Sequence, residues 1–107
     1  VAGFPHRASL AGRCGIPAER ERIYIRVDMA AGSPGPGDHD AHPVRLHWPD
    51  GRWWNIESVY SVRSFGRAEF GNLCVKWTVC IRRTPKVIWW ERGRWFVAKR
   101  SGMALRL

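Results

Sequence analysis

Residues 21–29 read ERIYIRVDM. Ile23, Ile25, Val27 and Met29 alternate with Arg22, Tyr24, Arg26 and Asp28, the two-residue period of a strand with one face in a core and the other in water. A helix would scatter the same four apolar side chains around its circumference. One amphipathic strand needs partners to bury its apolar face, and the flanking sequence supplies them.

Downstream, AAGSPGPGDHDAHP (30–43) is too rich in glycine and proline for regular structure. PVRLHW resumes the alternation, with Val44, Leu46 and Trp48 on one side and Arg45 and His47 on the other. Pro49, Asp50 and Gly51 form a tight turn, proline presetting φ and glycine accepting a positive one. RWWNIESVYSVRS points Trp54 and Ile56 inward and is expected to bend near Glu57 and Ser58. LCVKWTVCIRR is a long alternating strand with Val75, Trp77, Val79 and Ile81 inward. Residues 83–86 turn the chain, KVIWWE is apolar on both faces, residues 91–94 turn again, and RWFVAK closes the set. Strands are therefore expected near 22–29, 44–48, 52–63, 73–82, 86–91 and 94–99. Short strands, close turns and no helical segment imply an all-β fold, a small five- or six-stranded antiparallel meander barrel of the SH3-like or OB-like kind. Closure would also remove exposed edges prone to aggregation. Residues 1–20, broken by glycine and proline, are expected to be a mobile arm; residues 21–107 form the single domain.

The segment order I-Y-I-R-V (23–27), L-H-W-x-D-G-R-x-W-x-I (46–56), V-x-x-V-R (59–63), W-W-E (89–91) and R-W-F-V (94–97) resembles a family of small uncharacterised bacterial all-β proteins. The resemblance covers residues 21–98, with D-G-R opening the second hairpin and R-W-F-V closing the chain. It implies the β fold and a bacterial source, and carries no activity.

Of 107 residues, 18 are Lys or Arg and 9 are Asp or Glu, a formal net charge of +9. That balance favours an acidic partner such as nucleic acid, anionic lipid or an acidic protein. The three cysteines do not make a disulfide framework: Cys74 and Cys80 lie about 20 Å apart along one expected strand. An odd thiol without a C-x-x-C pair fits a reducing compartment, and the cytoplasm is the expected location. No apolar run is long enough for a membrane-spanning helix, and the first ten residues lack the apolar core of a signal peptide.

No nucleophile elbow, phosphate loop, dinucleotide fingerprint or zinc-protease motif occurs, so the expectation is a binding module and no enzyme, with no cofactor. Asp38, His39, Asp40 and His42, with His47 on the next strand, are the best approach to a metal site, but a glycine- and proline-rich loop presets no coordination geometry, and a solvated loop is expected there. The tryptophans divide by phase. Trp48, Trp54, Trp77, Trp89 and Trp95 are assigned to the core, while Trp53 and Trp90 fall on the opposite face with Tyr24. Around those rings lie Arg22, Arg26, Arg45 and Lys76, a mixture suited to stacking single-stranded bases and neutralising phosphates. If residues 52–64 are one bent strand, Arg52, Arg82, Arg83 and Lys86 gather at one end of the barrel against Asp50 alone. The expected nucleic-acid contacts are thus Tyr24, Arg26, Arg45, Arg52, Trp53, Lys76, Arg82, Arg83, Lys86 and Trp90. The rival expectation is a protein-interaction module docking through Ile88, Trp90 and Phe96.

Overall fold

The structure, a computed structural model, describes residues 10, 12, 14–32 and 40–99. Seven strands form one antiparallel sheet: β1 (Arg22–Ala30), β2 (His42–His47), β3 (Trp53–Asn55), β4 (Ser58–Phe65), β5 (Cys74–Ile81), β6 (Thr84–Glu91) and β7 (Arg94–Ala98). Their order is β3-β2-β1-β7-β6-β5-β4. The described residues contain no α-helix, only single 3-10 turns at Glu19–Glu21 and Ala68–Phe70. No helix among them is long and apolar enough to cross a membrane.

The count exceeds the expected five or six because the strand read as 52–63 breaks at Ile56 and Glu57. The Ile56 N–H donates to the Val44 carbonyl at 2.9 Å and the Glu57 N–H to that of Cys80 at 2.8 Å. One residue thus bonds toward β2 and the next to β5, near opposite ends of the strand order. The sheet curls into a half-barrel because consecutive residues must reach both ends. β1 is shared similarly: residues 22–25 pair with β7, and residues 26–30 pair with β2.

Val27, Leu46, Ile56, Val75, Trp77, Val79, Ile81, Ile88, Trp95 and Val97 fill the concave inner face. Trp48 and Trp54 pack against them as their phase predicts. Trp77, although buried, has no hydrogen-bond partner for its indole N–H among the described residues. Trp89 and Trp90 occupy the reverse of their expected faces. Ile81 pairs directly with Thr84, so only Arg82 and Arg83 turn the chain, with φ of 53° and 64°. Positive φ at both central residues is the type I′ hairpin pattern, which usually takes Asn-Gly. The turn expected at 83–86 lies two residues further along the chain, an even displacement that leaves the phase of β6 unchanged. The exchange has another cause: KVIWWE is apolar on both faces, so its alternation does not say which face turns inward. Register with β5 and β7 decides it: Trp90 faces Val75 and Trp95 inside, while Trp89 faces Lys76 and Phe96 outside.

Trp89 nevertheless remains buried. With Cys74, Phe96 and Ile16 it forms a second apolar layer on the outer face, Trp89 and Phe96 stacking at 6.4 Å between ring centroids. Ile16 is 2% exposed, and Leu10 packs beside the layer. The expectation that residues 1–20 bury little is therefore corrected at Ile16 and Pro17; residues 1–9, 11 and 13 lie outside the described set.

Trp77→Ala is expected to lower stability by roughly 3–5 kcal/mol and Ile16→Ala by roughly 2–5 kcal/mol. Trp53→Ala, at a side chain 51% exposed, is expected to cost less than about 1 kcal/mol. Chemical denaturation of the three variants checks this ranking, and a Trp53→Ala loss equal to that of Trp77→Ala would contradict the assignment of faces.

Candidate functional site

The outer face carries a row that crosses five strands. Successive register pairs link Arg63 to Lys76, Lys76 to Trp89, Trp89 to Phe96, and Phe96 to Tyr24. Paired residues share a face, so strand alternation brings these side chains together from positions 24 to 96. Beyond β1 the face continues through Arg26 to His47, and from His47 to Trp53.

Five cations on this face lie over rings of the same face. Arg94 sits 3.6 Å from the Tyr24 centroid, Arg22 4.0 Å from Phe96, and Arg45 4.5 Å from Trp53. Arg63 lies 5.2 Å from Phe65, and Lys76 5.5 Å from Trp89. Such contacts occur roughly once per 70–80 residues in proteins, so their concentration here is specific to the face. Each ring fixes a cation that would otherwise sweep a large volume, and a guanidinium lying flat on a ring keeps its N–H edge for an anion.

At the centre, Arg22 Nη1 donates to Glu91 Oε1 at 2.8 Å, with the two side chains 5% and 6% exposed. Arg22 Nε donates to the Pro17 carbonyl at 2.9 Å, and the Tyr24 hydroxyl donates to Glu19 Oε2 at 2.6 Å. Burial pulls the Arg22 pKa down, but hydrogen bonds to Tyr24 and Glu91 outweigh it and leave the group above its ordinary value. Glu91 Oε2 has no partner among the described residues. Burial, with the Glu91 carboxylate beside it, pushes the Cys74 thiol up to about 12. This thiol stays protonated at neutral pH and is no nucleophile.

Along β1 and β2, Arg26 Nη2 donates to His47 Nδ1 at 3.1 Å, and His47 Nε2 lies 2.8 Å from Asp28 Oδ2. Arginine only donates, so Nδ1 is the accepting side of His47 and Nε2 the side turned to Asp28. The hydrogen bond from His47 holds the Asp28 carboxyl below the ordinary range. Where β1 passes from β7 to β2, a cleft opens on each side. One, about 290 Å³, is lined by Tyr24, Arg26, His47 and Trp48. The other, about 420 Å³, is lined by Tyr24, Arg26, Arg94 and Trp95.

Of the residues expected to bind nucleic acid, Tyr24, Arg26, Arg45, Trp53 and Lys76 share this outer face. Trp90 does not: it packs against the inner core. Arg52 bonds Asp50 at 2.7 Å and lies over Trp54. Arg82 and Arg83 project at the β5–β6 turn, where the Arg83 N–H donates to Glu57 Oε1 at 3.2 Å. Lys86 pairs with Val79, on the phase of Ile88 and Trp90, so it does not share the outer face. Arg63, Arg94, Phe65 and Trp89 were not expected as site residues; Arg22 was expected only among the cations around the rings, and Phe96 only in the rival docking face. Alternation with core positions was the available signal for Arg63 and Arg94; the two apolar faces of KVIWWE hid Trp89.

The loop considered for metal lies partly outside the described residues, at Asp38 and His39. His42 Nδ1 lies 2.8 Å from the Asp40 carbonyl, and His47 is engaged with Arg26 and Asp28. No family model, curated protein or solved structure matches this chain. The resemblance to small bacterial β-proteins thus rests on the segments quoted for it alone.

Replacing only Arg22 by Met strands the buried Glu91 carboxylate and is expected to cost about 3–5 kcal/mol. Replacing both Arg22 and Glu91 by Met is expected to recover most of that loss in urea denaturation. If the double variant is as unstable as the single, the pair is not what makes the site sensitive.

Proposed function

We propose that the protein is a small basic binding module of the cytoplasm, a barrel of the SH3-like or OB-like kind that holds single-stranded nucleic acid on its outer face. The single observation that supports this reading is the set of four cations, Arg45, Arg63, Lys76 and Arg94, seated on rings of one face, Arg22 being already paired with Glu91. Phosphates would take the guanidinium edges of Arg26, Arg45 and Arg94. Bases would stack on half-exposed Trp53 and on guanidinium planes already supported by rings. Seating a cation beforehand lowers the entropy lost on binding. The reading assigns no chemical step to any residue. A protein partner is the second reading: Ile88 and Phe96, expected to dock it, are buried and Trp90 packs against the inner core, but Tyr60, Val62 and Phe70 leave large apolar surface exposed.

The test is fluorescence anisotropy with a labelled single-stranded oligonucleotide over a salt series. Affinity is expected to fall with a log–log slope of about −0.7 per phosphate neutralised. Charge reversal at Arg45 and Arg94 is expected to weaken binding and flatten the slope. Trp53→Ala is expected to lose about 1–3 kcal/mol with the slope kept. Reversing Arg82 and Arg83 separates the turn from the outer face: a larger loss there than at Arg45 and Arg94 would move the site to the turn. Affinity indifferent to all these changes would leave only general attraction to a +9 protein and end the nucleic-acid reading.

A further inference from the structure

We infer that the free edge of β4 accepts an extended acidic segment of a partner protein as an added antiparallel strand. Among the described residues β4 is an end strand of the sheet, paired with β5 alone. Both its faces are open: Tyr60 is 56% exposed, and Val62, although it pairs with buried Trp77, is 47% exposed. Natural edges are usually blunted by shortness, proline, lysine or a buried charge. At the other end of the sheet β3 has only three residues, and its neighbour β2 carries Pro43. β4 has eight residues, SVYSVRSF, with neither proline nor lysine. Its protections are the charge of Arg63 and the register shift between Val59 and Ser61, beyond which residues 61–65 run in continuous register with β5.

Charge decides the occupant. Arg63 lies directly opposite Lys76, a like-charge pair that costs stability and makes no ion pair among the described residues. Arg82 and Arg83 flank the lower end of the strand, near Ser58 and Cys80. The nearest carboxylate along the chain, Glu57, already accepts from the Arg83 N–H and the Cys80 thiol. A second copy of β4 would bring another Arg63 and no carboxylate. A nucleic acid has no peptide backbone to continue the ladder. A strand with alternating carboxylates satisfies both the open backbone groups and the cations, with apolar side chains of the other phase covering Val62.

The experiment uses the full chain and synthetic peptides of about ten residues, the usual reach of strand addition. One alternates Glu with Val, a second Ser with Val, a third Lys with Val. A fourth is the Glu–Val peptide with alternate amides N-methylated, which keeps its charge and loses one hydrogen-bonding edge. Amide exchange followed by NMR is expected to slow at residues 58–65 with the Glu–Val peptide and not in β2 or β3. The Ser–Val peptide is expected to bind roughly tenfold more weakly at low salt, about 1.4 kcal/mol, and Arg63→Glu to transfer the preference to the Lys–Val peptide. Equal binding by the N-methylated peptide would mean charge attraction without strand pairing and would overturn the inference. So would protection of these amides in the free protein with sedimentation as a dimer, which would make the occupant a second copy. Equal protection by a single-stranded oligonucleotide would overturn it as well. Loss of the nucleic-acid reading, judged at Arg45, Arg94 and Trp53, leaves each of these outcomes separately readable.

Discussion

Two adjacent backbone donors, the N–H groups of Ile56 and Glu57, hold opposite sides of the curled sheet together, one reaching β2 and the other β5. Neither bond is strong alone; an intramolecular hydrogen bond contributes about 1 kcal/mol net. Their force is geometric. Because the donors are consecutive, the sheet cannot flatten without breaking one of them, and the enclosed space must be filled by Leu46, Trp77, Ile88 and Trp95. Ile56 is itself a member of that core, so the residue that bends the chain also seals the inside. Past the bend, β3 and β4 separate, and β4 is left with a free edge.

The outer face follows from the same curl. With the strongest hydrophobes drawn inside, the opposite phase of every strand is presented outward, and in this chain that phase alternates rings with cations. A flat ring beneath a guanidinium offsets part of the cation's lost hydration, so clustered positive charge is tolerated without matching carboxylates. The buried pair of Arg22 and Glu91 serves a different purpose. Its Coulomb gain is largely cancelled by desolvation, but Arg22 also reaches the Pro17 carbonyl and the Phe96 ring, so it ties the N-terminal segment, β1, β6 and β7 at one point. Ile16 then closes over Cys74, Trp89 and Phe96. Part of the aromatic row is thereby covered, and the accessible ends of the face are Tyr24 to Trp53 on one side and Arg63 with Lys76 on the other.

Much of this architecture is legible in the amino-acid sequence. The period of two in residues 21–29 and 73–81 requires strands, and the Pro-Asp-Gly turn and the glycine at position 93 place two hairpins. Alternation alone assigns Tyr24, Arg26, Arg45, Trp53 and Lys76 to one face, because each strand's phase is set by its apolar members. The departures have one cause each. Arg82 and Arg83 carry no turn signature, being residues that rarely take positive φ. KVIWWE is apolar on both faces, so its inward phase could not be read and Trp89 and Trp90 were exchanged. Ile16 is a lone apolar residue among glycine, proline and arginine, with no periodicity to show where it packs.

What the sequence determined by itself is therefore local: strand periods, the identity of the core-facing side chains on five of the strands, and a surplus of positive charge on the remaining face. Alternation is a property of each backbone segment and needs no partner to be read. Tertiary structure alone decided the register across the Arg82 and Arg83 turn, the division of one expected strand at Ile56 and Glu57, and the docking of Ile16 over Trp89. Each depends on contacts between residues distant in the chain, where the favourable energy comes from a pairing and no single segment carries its signal.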